Sequence, residues 1–147
     1  MKLSQEIFAI KLYEMEQEYG RLQSRLRICE QEDHKKIREE LEKAKDDYKE
    51  HALALQRSAE GSRSLAVAEL AQAQLEFSRK MQNLLKGRLE KHFRSEESNT
   101  AEDRAEAATL YAEYAIDLAA QTMRYALVAS LAAIDLQMNF EEEKGEA

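Results

Sequence analysis

Ten positions towards the end of the chain (105, 108, 112, 115, 119, 122, 126, 129, 133 and 136) follow alternating steps of three and four. They read Ala, Ala, Ala, Ala, Ala, Thr, Ala, Ala, Ala, Leu. A repeat of that period belongs to a helix that keeps one line of side chains against a neighbour. Interaxial distance depends on the side chains at the contact, so a helix docking on alanine can lie at or below the usual distance of about 8–10 Å. Tyr111, Leu118, Tyr125 and Leu136 flank this seam on one side, and Ile116, Met123, Leu127, Ile134 and Met138 on the other. Glu113, Asp117, Gln121, Arg124 and Asp135 form a narrow polar stripe, interrupted by Val128 and Leu131. A helix apolar around most of its circumference is normally covered on several sides. The pattern predicts a helix over about 101–140, central to the fold, to an oligomer, or to both. The tail, 141–147, is acidic and is expected to be frayed and solvated.

The rest of the chain is read against the same period. From Phe8 the apolar positions run Phe8, Leu12, Met15, Tyr19, Leu22, Leu26, Cys29, again in steps of four and three, with Ser4 as a candidate N-cap. A polar window, residues 30–36, follows, and the apolar line resumes at Ile37, Leu41, Ala44, Tyr48 and Leu55 with its phase shifted by one residue. No glycine or proline marks a turn there. The window therefore favours one helix over about 4–58, with a break at 30–35 capped by Asp33 as the alternative. In the segment 60–64, Gly61 supplies a C-cap and a serine after it, Ser62 or Ser64, a fresh N-cap. A helix over about 64–94 is expected, with the stripe Ala66, Leu70, Ala73, Phe77, Met81, Leu84, Leu85, Leu89 and Phe93 and with Gly87 inside it, permitting close approach by a neighbour. Ser95 to Thr100 is polar, and Thr100 with Asp103 has capping-box spacing.

Composition agrees. Proline is absent, glycine occurs four times in 147 residues, and 35% of residues are charged. Sheet proteins need turn residues that this chain lacks, whereas a charged, alanine- and leucine-rich chain is that of long helices. The expected fold is all-α: one domain over 1–147, an elongated antiparallel bundle or coiled coil of three long helices, four if the first is broken.

Charge and residue chemistry narrow the functional classes. A net charge of −7 disfavours nucleic acid and anionic membranes. Arg21, Arg25, Arg27, Lys35, Lys36 and Arg38 form a basic cluster, but Glu30, Glu32, Asp33, Glu39 and Glu40 are interleaved with it. Pairs such as Glu32–Lys36 and Glu39–Lys43, four apart, suit a solvated helix face. Asp117, Arg124 and Asp135 would be costly in hydrocarbon, which argues against a membrane span. The lone Cys29 lies on the first seam and suits a small buried hydrophobe. It implies no disulfide, and the first residues carry no apolar leader, so a cytoplasmic location is expected.

Catalytic chemistry has little to stand on. His34, His51 and His92 have no repeated ligand spacing, and the Glu-x-x-His pattern of di-iron bundles is missing. Glu30-x-x-Asp33 and Glu39-x-x-Glu42 have spacing suited to magnesium, but lysines lie beside them and no later motif could complete a cage. The expectation is a non-enzymatic interaction or structural protein, without cofactor or metal. It would form a homo-oligomer, with a dimer favoured, or bind another protein, through Ala112, Ala115, Ala119, Ala126, Ala129 and Ala133 together with Leu12, Tyr19 and Leu26. The alternatives are a bundle binding lipid or another apolar ligand, and a small all-α magnesium-dependent hydrolase.

Overall fold

The computed structural model describes residues 2–94 and 100–146. Among these the chain is all-α, with no strand. α1 is Lys2–Cys29, α2 His34–Glu60 and α3 Leu65–Asn83; a kinked turn, Leu84–Arg88, leads into α4, Leu89–Arg94, and α5 is Ala101–Glu146. By contacts the chain divides into two units, Met1–Gln31 with Thr109–Ala147, and Glu32–Ala108.

The polar window after Cys29 breaks the helix, against the expectation of one helix over 4–58. Asp33 has extended backbone, φ −75° and ψ 167°, and its carboxylate accepts the Lys36 N–H at 2.9 Å. An aspartate that satisfies an orphan N–H competes with helix continuation, and no apolar side chain in the window opposes it. The break also accounts for the shifted apolar phase, because two separate helices need not share one. α1 begins at Lys2, two residues before the expected cap position. The expected pair Glu32–Lys36 gives way for the same reason: Glu32 precedes the cap, and Lys36 reaches Glu39 at 4.0 Å and Glu40 at 3.8 Å instead. Glu40 also receives Lys43 at 3.5 Å, the lysine expected opposite Glu39.

In the second unit, α2 packs along α3. Half-buried positions include Tyr48, Ala52, Gln56 and Ala59 on α2 and Ala71, Gln74 and Leu75 on α3, and Ser78 on α3 is buried. Gln74 donates to Ser78 Oγ at 3.4 Å. The expected stripes hold only in part: Tyr48 on α2 and Met81 on α3 are half-buried. Ile37, Leu41 and Leu55 on α2 and Leu70 and Phe77 on α3 are exposed. Beside Tyr48 and Leu75, the inward faces use alanine, glutamine and serine, whose small or flexible side chains let the two helices approach.

Gly61 ends α2 in ordinary right-handed geometry, φ −80° and ψ −6°. Ser64 caps α3 by accepting the Val67 N–H at 3.4 Å. The helix expected over 64–94 is interrupted at Gly87, whose φ of 128° is the one positive value among the described residues. A Cβ there would meet no atom within 4 Å, so the glycine serves the kink and not a close approach. Past it, Leu89 and Phe93 are half-buried, as Met81 and Leu84 are before it.

Thr100 opens α5 as its spacing predicts. Its Oγ1 accepts the Asp103 N–H at 3.1 Å and its hydroxyl donates to the Asp103 carboxylate at 2.6 Å. The remainder of the expected polar break, 95–99, lies outside the described residues. α5 runs through Glu146, so residues 141–146 continue the helix, with 141–145 exposed to solvent.

Candidate helix-packing interface

α1 and the part of α5 beyond residue 108 make up the first unit, and they share no extensive packed face. No described residue of this unit is buried. Leu12, Tyr19 and Leu26 are 60%, 60% and 57% exposed, and Leu22 between them is also open. Phe8 and Cys29, at the two ends of that seam, are half-buried. The α1 line is therefore a continuous apolar ridge facing solvent in the single chain.

The α5 seam is open as well. Ala112, Ala115, Ala119, Ala126, Ala129 and Ala133 are all exposed. So are the bulky neighbours on both flanks, Tyr111, Leu118 and Tyr125 on one and Ile116, Met123 and Met138 on the other. Thr122 is the one polar residue in the seam. Its hydroxyl donates to the Leu118 carbonyl at 3.0 Å, so the polar atom is satisfied within the helix and its methyl group is left for packing. Ser130 does the same with the Ala126 carbonyl at 2.8 Å. On the polar stripe, Arg124 donates to Gln121 Oε1 at 3.2 Å. The nine residues singled out from sequence thus lie on two exposed helix faces, and none is drawn into an extensive helix–helix contact.

Spacing alone passed over a further set of exposed apolar side chains. Ile7, Ile10, Tyr13 and Ile28 on α1, and Leu110, Tyr114 and Phe140 on α5, lie off the two seams and are open to solvent. Their signal in the sequence was the apolar residue itself, out of phase with the repeat.

No described helix is long and apolar enough to cross a membrane. No protein-family model matches the chain, and neither does any curated protein or solved structure.

The polar candidates occupy ordinary helix surfaces. Arg21 pairs with Glu18, and Lys11 with Glu14 at 3.9 Å. His34 begins α2, and His51 shares a hydrogen bond with the Asp47 carbonyl at 2.8 Å. Of the carboxylates with magnesium-like spacing, Glu39 is engaged by Lys36 at 4.0 Å and Glu42 by Lys45 at 3.2 Å, and Asp33 is taken up in the α2 cap. Among the described residues, no three histidine, cysteine or acidic side chains are grouped to hold a metal ion.

Proposed function

We propose that this chain is a non-enzymatic helical interaction protein that self-associates, as a homodimer, through the heptad seam of α1 and the alanine seam of α5. The observation that carries this reading is the open state of both seams. A line of large apolar side chains on α1, and a helix apolar around most of its girth in α5, are left facing water by a single copy. Exposed contiguous apolar surface marks an interaction site. Two-fold closure with an identical chain covers the same patch on both partners at once. In this reading the finer architecture is an elongated coiled-coil bundle completed between copies, with Ala112, Ala119, Ala126 and Ala133 setting the closest approach. A structural role in the cytoplasm goes with this reading. Another protein could take the place of the second copy on the same faces.

Light scattering coupled to gel filtration tests it. The expected mass is twice the 17.0 kDa of one chain. A monomer mass at micromolar concentration would overturn the reading and turn attention to an apolar ligand on the same faces.

A further inference from the structure

Beside its apolar line, α1 carries a charge pattern that the line itself does not require. Leu12, Tyr19 and Leu26 take the a positions of the heptad, and Phe8, Met15, Leu22 and Cys29 the d positions. The neighbouring g positions are Lys11, Glu18 and Arg25, and the e positions are Ala9, Glu16, Gln23 and Glu30. Glu30 still continues the helical turn, since its N–H bonds the Leu26 carbonyl at 3.2 Å.

In a parallel, in-register pair of helices, each g residue faces the e residue of the partner's next heptad. Lys11 then faces the partner's Glu16, Arg25 faces the partner's Glu30, and Glu18 faces the partner's Gln23. Both ion pairs occur twice by symmetry, and no like charges meet. An antiparallel pair sets g against g and e against e, and two registers keep six of the seven seam positions in contact. With Leu12 against the partner's Leu22, Lys11 meets the partner's Arg25, while Glu16 and Glu18 meet their own copies. With Leu12 against the partner's Cys29, Glu18 pairs with the partner's Arg25, and Lys11 has no acidic partner on α1. The first register is opposed by like charges, and the second makes two ion pairs where the parallel pair makes four, so charge favours the parallel orientation.

We infer that α1 pairs in parallel and in register with α1 of a second copy. The inference rests on the self-association reading above and adds an orientation and a register to it. The occupant is a second copy because the flanking charges complement themselves. The arrangement has a built-in reporter: Cys29, at the last d position, is a free thiol and would face the partner's Cys29 across the seam. In either antiparallel register the two thiols would be about 25 Å or more apart along the helix axis.

The test uses the full chain. Mild copper–phenanthroline oxidation is expected to give a covalent dimer on a non-reducing gel, lost in Cys29→Ser. Lys11→Glu combined with Arg25→Glu should suppress the cross-link and raise the dimer dissociation constant roughly tenfold at low salt. Adding Glu16→Lys and Glu30→Lys should restore both. A chain of dimer mass by light scattering that does not cross-link, or whose cross-link ignores the charge reversal, overturns the parallel register and leaves self-association standing. A monomer mass for the reduced wild-type chain overturns both.

Discussion

Thr100 and Asp103 hold each other at the start of α5: the threonine hydroxyl donates to the Asp103 carboxylate at 2.6 Å, and the same oxygen accepts the Asp103 N–H at 3.1 Å. One side chain thereby satisfies an orphan donor of the first turn and fixes an acid where the helix dipole favours negative charge. Thr100→Ala removes both interactions and is expected to cost about 0.5–2 kcal/mol, while Thr100→Ser should recover most of it. Urea denaturation followed by helical circular dichroism reads the difference. Equal midpoints for the alanine variant and the wild type would show that the pair contributes nothing.

Tyr48 makes the opposite case. Its hydroxyl is withdrawn from solvent on the α2 face and has no hydrogen-bond partner. A buried hydroxyl without a partner carries a desolvation penalty, so Tyr48→Phe should be neutral or stabilising by up to about 1 kcal/mol. A loss of stability in the phenylalanine variant would mean that the hydroxyl is satisfied in solution.

Two glycines with open space around them should respond in opposite directions. Gly61 has right-handed geometry, φ −80°, which alanine adopts freely. Gly61→Ala should stabilise by about 0.4–1 kcal/mol through the unfolded chain. Gly87 has φ 128°, and Gly87→Ala should cost about 1–2 kcal/mol or straighten the kink into a longer helix. Thermal melts compare the two costs, and a rise in helical ellipticity would identify the straightened form.

Ala119→Leu probes the α5 seam. If that alanine sits at the closest approach of two helices, the added side chain should overpack it and cost about 1–3 kcal/mol, with a change in sedimentation. Melting and sedimentation identical to wild type would show that the seam is not a packing surface.

The sequence made the helical class legible because the chain lacks the turn residues that sheets require. Ser64 and Thr100 were legible as caps because a hydroxyl three residues before an accessible N–H is a local signal. Asp33 carried that same signal, but the helix formers around it and the missing glycine pointed the other way. The α2–α3 contact was illegible for a different reason. Tyr48 lay on the expected line, but Ala52, Gln56, Ala71, Gln74 and Ser78 beside it are residues that a search for large apolar side chains passes over, while Leu41 and Leu70 face water. Gly87 was ambiguous because a glycine inside a helical pattern can serve either a close neighbour or a positive φ. The two seams were legible as spacing. In the reading proposed above, what covers them belongs to an assembly, and the sequence of one chain bears on it only through complementary charge.

With none of its described side chains buried, α1 in a single copy is held mainly by the helix–coil equilibrium of its own 28 residues. Such an equilibrium opens on a sub-microsecond to microsecond scale and shields amides only weakly. Hydrogen–deuterium exchange along α1 should therefore slow as the protein is concentrated and quicken on dilution, while the amides of α2 and α3, which cover each other within one chain, keep a constant rate.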